Sequence, residues 1–346
     1  MRALVIHAPR DLRIDELEAP QLQKGEVRVA VQRGGVCGSD LHYYHHGGFG
    51  AVRLREPMIL GHEVAGLVEA VGADVDDLSV GTPVAINPSR PCGDCHYCLK
   101  GDANHCLDMR FYGSAMRFPH VQGAFAEVVV ATAEQCVSAP ASPLDCAQLA
   151  MAEPLSVALH AVRRAGDMLG ARVLVCGCGP IGVLTIAVAR RAGAAEIVAT
   201  DLADAALEHA AAAGADRTVN VARLADGLAE FALHKGYFDV VFEASGTEPA
   251  ICSALPVIRP RGVFVQVGLG GDAVALPMNV VVAKEIDLRG TFRFHEEFDW
   301  AVELMSKGLI DVRPLLTGTY ALNEARSAFE IAGDREQSLK VQIAFD

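Results

Sequence analysis

The chain has 346 residues, 51% hydrophobic and 21% charged, with a formal net charge of −13. That length holds two domains, each with its own core, and the apolar runs are too short for a membrane helix. The acidic balance argues against a nucleic-acid surface, and an anionic ligand would need a local cluster of cations.

Taken in order, residues 1 to about 145 read as β-rich. Met1-Arg2 leads straight into a strand-like ALVIHA segment with no apolar leader, the pattern of a cytoplasmic protein. Short alternating runs such as Glu26 to Val31 and Val64 to Val71 are broken by Gly, Pro and Asp. The stretches Gly34 to Tyr44 and Gly61-His62-Glu63 are dense in polar side chains. Cys37, His62 and Glu63 offer sulfur, nitrogen and oxygen donors for a metal with an open position, although spacing alone does not bring Cys37 beside His62.

Cys92, Cys95, Cys98 and Cys106 follow as C-x2-C-x2-C-x7-C in a turn-rich loop with few large apolar residues. Four thiolates at this spacing close a tetrahedral zinc site, and the metal supplies folding energy that the loop lacks. An iron–sulfur cluster uses similar spacing, and a disulfide-bonded loop is the plainer alternative. Zinc is the expectation. The other five cysteines (Cys136, Cys146, Cys176, Cys178, Cys252) read as small buried residues.

From about 145 to 285 the pattern alternates helix and strand, which implies a doubly wound parallel sheet. Asp145 to Ala165 reads as one helix. Arg172 to Cys176 is a buried strand, and Gly177, Gly179, Pro180, Ile181 and Gly182 form a G-x-G-x-x-G turn into a helix ending near Arg191. Glu196 to Thr200 is the next strand, with Asp201 at its end. This is a dinucleotide site: Gly177 permits the turn, Gly179 admits a pyrophosphate and Gly182 lets helix pack on strand. Asp201 accepts the adenosine ribose hydroxyls and repels a 2′-phosphate, so NAD is expected over NADP. A helix over Asp204 to Ala213 and strands at Asp239 to Ala244 and Val263 to Val267 continue the sheet. Residues 286 to 346 return to mixed structure, with a helix over Phe298 to Lys307 and strands at Ile286 to Phe292 and Lys340 to Phe345. With no long linker, the two domains are expected to meet at a cleft, the default place for an active site.

GGVCGSDLHYY, PMILGHEVAGLVEAVG, the four-cysteine lobe, EPLSVALHA and VCGCGPIGVL occur in that order along nearly the whole chain. In this the sequence resembles the zinc-dependent medium-chain dehydrogenases. Within the family, CGSDLHYYHHGGFG and EPLSVALHA resemble the sorbitol and xylitol branch, and residues 111–130 resemble the L-idonate dehydrogenases. The resemblance implies an α/β fold: a GroES-like β-rich catalytic domain over 1–145 with a structural-zinc lobe at about 90–108, a Rossmann domain over 146–285, and 286–346 completing the catalytic domain.

It further implies that Cys37, His62 and Glu63 hold a catalytic zinc, with Glu153 as an outer or exchanging ligand. Ser39 and His42 carry the alcohol proton outward; Tyr43, Arg293 and Phe294 face substrate; and Val267, Gly268, Leu269, Thr291 and Phe292 flank the nicotinamide with Arg293. Arg117, in the idonate-like segment, is a candidate cation for a substrate carboxylate. Members often carry a basic residue five positions after the ribose-binding acid, where this chain has Ala206. The expected activity is NAD-linked oxidation of a small sugar acid, L-idonate, or of a neutral polyol, by a homo-tetramer with one catalytic and one structural zinc per chain. A nucleotide-binding protein without turnover is the alternative from another class.

Overall fold

The computed structural model describes residues 1–139, 144–224, 226–271 and 273–345. They gather into two compact units. One comprises Met1–Glu153, Phe298–Asp334 and Lys340–Asp346; the other comprises Pro154–Glu297 and Arg335–Leu339.

The first unit is built on a seven-stranded sheet. The Glu26–Gly35 strand is central: it pairs antiparallel with Glu63–Val71, with Val128–Thr132 and, at its far end, with Lys340–Ala344. Val27, Val29 and Val31 are buried in alternation, the period of a strand with one face on the core. That core collects Phe125, Phe329, Tyr43, Met58 and Ile343. Register then decides the site. Gly35 lies opposite Glu63, and the Val36 N–H donates to the Val341 carbonyl at 2.9 Å. Three segments far apart in sequence therefore end side by side.

The second unit carries a six-stranded parallel sheet in the spatial order Arg217–Asn220, Glu196–Asp201, Arg172–Cys176, Phe238–Glu243, Ile258–Gln266, Asp287–Gly290. Val173, Leu174 and Val175 are fully buried, as a strand covered on both faces requires. The strand order reverses on either side of Arg172–Cys176, so the glycine turn after Cys176 sits at the switch point where such sheets bind ligands.

The expected helix over Asp145 to Ala165 is two helices, Cys146–Leu149 and Ala152–Ala165. Pro154 explains the break: it has no N–H for the Ala150 carbonyl, and its ring crowds that oxygen. Two further helices are Gly38–His46, which has no clear apolar stripe, and Ala325–Ala332, whose Ala325, Ala328 and Phe329 are buried. Among the described residues no helix is long and apolar enough to cross a membrane.

Candidate active site and metal centres

The Gly38–His46 helix begins where the central strand ends, with Cys37 as its N-cap. The Cys37 N–H donates to Asp40 Oδ2 at 3.0 Å, and the Gly61 N–H donates to Asp40 Oδ1 at 3.2 Å. Asp40, fully buried, thus ties the Cys37 turn to the His62 turn. Gly61 takes φ +90°, and a β-carbon there would lie 2.1 Å from the Phe125 ring, so only glycine makes this turn. As a result, Cys37, His62 and Glu63 bring one ligand atom each to within 4.8 Å of one another.

The electrostatics of this pocket suit a cation. Burial pushes the Cys37 thiol up to about 12, and Glu63 adds to the shift. Burial also raises Glu153 to about 8, with Glu63 and Cys37 adding repulsion and His62 and Lys340 opposing it. The His62 Nδ1 is buried with no hydrogen-bond partner among the described residues and lies 3.9 Å from Asp40 Oδ1. A sulfur, a nitrogen and a carboxylate oxygen converge, two acids are held protonated, and a ring nitrogen is unsatisfied. A zinc ion bound there would relieve all of these at once, since metal binding displaces protons from its ligands.

Lys340 was not foreseen from the sequence. Its ammonium is 2% exposed and donates to Glu63 Oε1 at 2.8 Å, to Oε2 at 2.6 Å and to the Val36 carbonyl at 3.1 Å. A buried carboxylate so close to a thiol and a second carboxyl needs such a counter-charge.

Other predicted site residues fall around this centre in different ways. Ser39 and His42 are three residues apart on the Gly38–His46 helix and share a face. Tyr43 is 2% exposed, and its hydroxyl oxygen accepts the Ala115 N–H at 2.9 Å. It therefore pins the segment that resembles L-idonate dehydrogenases. Arg117, in that segment, pairs with Asp108 next to the cysteine lobe.

The four cysteines of that lobe converge. The Sγ distances are 3.5 Å for Cys95–Cys98, 3.4 Å for Cys92–Cys106 and 4.0 Å for Cys92–Cys98. Sulfurs at the corners of a tetrahedral zinc site with Zn–S of about 2.3 Å are about 3.8 Å apart. Backbone N–H groups of Cys92 and Asp108 point at Cys106 Sγ, and those of Cys98 and Leu107 pull Cys95 down to about 6. The lobe fits a structural zinc.

In the second unit, Gly177 takes φ +89°, and a β-carbon on Gly182 would lie 1.9 Å from the Gly177 carbonyl oxygen. A β-carbon on Gly179, the N-cap of the Pro180–Arg191 helix, would meet nothing within 4 Å. This is the open approach that a pyrophosphate needs at a helix N-terminus. Asp201, 5% exposed, accepts the Cys178 N–H on Oδ2 at 2.7 Å and the Leu202 and Ala203 N–H groups on Oδ1 at 2.7 and 3.0 Å.

Val267 and Gly268 both donate N–H to the Glu243 carbonyl at 2.8 Å. The buried Glu243 carboxylate, also unforeseen, accepts the Ser245 and Gly246 N–H groups at 2.9 Å and Gln266 Nε2 at 2.6 Å. It fixes the loop beside Gly268 and Leu269. Thr291 Oγ1 is buried with no hydrogen-bond partner among the described residues, Phe292 is exposed, Arg293 takes φ +55° with its guanidinium 4.9 Å from the Phe292 ring centroid, and Phe294 is buried.

Two family models match the chain: an alcohol dehydrogenase GroES-like domain over residues 23–141 and a zinc-binding dehydrogenase over residues 180–307. The chain is 46% identical over 317 residues to L-idonate 5-dehydrogenase (NAD(P)(+)) of Escherichia coli, covering 92% of this chain and 91% of that protein. It is 35% identical over 348 residues to sorbitol dehydrogenase of Bacillus subtilis, covering 99% and 97%. The crystal structure of L-idonate 5-dehydrogenase from Escherichia coli matches with a TM-score of 0.95 at 43% identity, covering 99% of this chain and 97% of that one. Likeness of this extent, with both family models in order on one chain and a donor set for each of two zinc ions, makes this protein a member of the zinc-dependent medium-chain alcohol dehydrogenases, enzymes built from a GroES-like and a Rossmann domain that act on CH–OH groups.

Proposed function

We propose that this enzyme oxidises the secondary hydroxyl of a sugar acid, L-idonate to 5-keto-D-gluconate, reversibly and with NAD. The observation that carries the reading is the 46% identity to L-idonate 5-dehydrogenase over 92% of the chain. Cys37, His62 and Glu63 would hold a zinc ion, which would supply Lewis acidity toward the substrate hydroxyl. NAD supplies the hydride acceptor.

The chain's own residues do the rest. Ser39 takes the hydroxyl proton, and His42, one turn along the same helix face, releases it to solvent. Glu153 lies outside the ligand set or exchanges into it, and contacts the bound oxygen-rich substrate. Lys340 neutralises Glu63 so that the ligand set is not repelled by its own charge. Gly177, Gly179, Pro180, Ile181 and Gly182 receive the pyrophosphate, and Asp201 the adenosine ribose. Val267, Gly268, Leu269, Thr291 and Phe292 line the nicotinamide end. Arg293, Tyr43 and Phe294 contact the substrate. The enzyme is a cytoplasmic homo-tetramer in this reading.

One observation favours oxidation of a neutral polyol such as sorbitol or xylitol instead. Arg117 is already paired with Asp108, and a neutralised cation reads a carboxylate poorly. Initial rates of NAD reduction with L-idonate, D-sorbitol and xylitol side by side, and with NADP as the parallel cofactor, test both readings. A preference for L-idonate of at least tenfold in kcat/KM is expected. A preference for the uncharged substrates would replace the first reading with the second.

A further inference from the structure

The Gly38–His46 helix carries three histidines, His42, His45 and His46, and the reaction as proposed uses only one. His42 and His46 are four residues apart and stand on one face, one turn above the other. Their ring centroids are 6.2 Å apart with planes tilted by 42°, and the rings of His45 and His46 are 5.9 Å apart. Two imidazoles sharing a metal at about 2.0–2.1 Å per nitrogen have centroids roughly 5–6 Å apart. A small rotation about the side-chain torsions therefore closes a chelate.

Two further facts suit the pair to a metal. His42 and His46 are both exposed, and among the described residues neither has a hydrogen-bond or ion-pair partner that a metal would have to displace. Burial and the two neighbouring histidines push the His42 imidazole below its ordinary value, which keeps it in the neutral form that binds metal. A histidine pair at this helical spacing is a recognised zinc-ligating geometry, and imidazole favours zinc, nickel and copper over magnesium and calcium.

We propose that His42 and His46 form a separate surface site for a borderline divalent cation, and that occupancy inhibits the enzyme by taking His42 out of the proton path. The inhibitory half rests on the relay role proposed above for His42; the binding half does not. The ion would leave Cys37, His62 and Glu63 untouched, so inhibition would be reversible and without loss of zinc.

The test uses the zinc-loaded enzyme as purified and nickel chloride as the probe. Equilibrium dialysis followed by elemental analysis should find one reversibly bound nickel per chain with the zinc content unchanged. His46→Gln should weaken nickel binding at least tenfold. Nickel should lower the rate of NAD reduction, with its inhibition midpoint shifted by the same factor in His46→Gln, each zinc-loaded protein referred to its own rate without nickel. Nickel binding that survives His46→Gln overturns the site. Binding that depends on His46 but leaves the rate unchanged upholds the site and overturns the inhibition, and with it the relay assignment of His42.

Discussion

The Lys340 ammonium lies 2.8 and 2.6 Å from the two carboxylate oxygens of Glu63, and the two side chains are 2% and 1% exposed. A buried pair of this kind is hard to break from one side. Lys340→Met leaves Glu63 beside the Cys37 thiol and Glu153 without its counter-charge, at a cost of about 3–5 kcal/mol. We expect a large fall in the midpoint of urea unfolding. The double variant Lys340→Met/Glu63→Gln should recover most of it, because the orphaned charge is then gone. A single variant as stable as the wild type would mean that the pair contributes nothing.

A subtler change acts on the same carboxylate. A β-carbon on Gly35 would lie 2.2 Å from Glu63 Oε2 and 3.3 Å from Glu63 Cβ. Gly35→Ala must push the Glu63 side chain away, at a cost of about 1–3 kcal/mol for overpacking. The purified variant should hold about one zinc per chain rather than two, with the Cys92–Cys106 lobe still loaded. Two zinc ions per chain would show that Glu63 is not needed as a ligand.

His42 gives the pH dependence. Partial burial lowers its pKa, with His46 and His45 adding to the effect, so its neutral, proton-accepting form persists below the ordinary value of about 6.5. The acid limb of kcat should then lie below pH 6.5. His45→Gln removes one of the repelling charges, which raises the His42 pKa and moves that limb to higher pH. His42→Ala should slow turnover more below neutral pH than above it, where solvent base takes over. Equal loss across a profile from pH 5.5 to 9 would argue against a relay.

Asp201 couples cofactor choice to local stability. Its carboxylate accepts N–H groups from Cys178, Leu202 and Ala203. Asp201→Ala leaves these donors poorly satisfied, at about 1–3 kcal/mol, so the thermal midpoint should fall. The Michaelis constant for NAD should rise at least tenfold and the NADP-to-NAD ratio of kcat/KM should increase, since the charge that repels a 2′-phosphate is gone. An unchanged ratio would remove Asp201 from cofactor selection.

What could be read from the sequence follows from how local each signal is. The strand Arg172–Cys176, the glycine turn and the helix to Arg191 are contiguous, and each residue type has one physical purpose there. The four cysteines lie within fifteen residues, so spacing alone revealed a common centre. Cys37 and His62 met only through resemblance, because sheet register and not spacing joins them. Lys340 was invisible for the same reason, being 277 residues from its partner in a strand that otherwise reads as plain core. Asp40 and Glu243 look like ordinary polar residues until their N–H partners are seen. The Gly38–His46 helix escaped because its face is histidine and tyrosine rather than an aliphatic stripe.

The distance between Glu63 and Lys340 along the chain also sets an order of events during synthesis. Cys37, His62 and Glu63 are synthesised before Lys340, which follows Glu63 by 277 residues. At about 5–20 residues per second the ligand trio waits roughly 15–55 seconds for its ammonium. Throughout that interval Glu63 has strong reason to stay in water, because burying it means burying an unbalanced charge. The pocket can close only when the late strand slots in beside Gly35. Pairing of that strand therefore precedes closure of the pocket, and the catalytic donors stay open to incoming zinc until Lys340 has been added to the nascent chain.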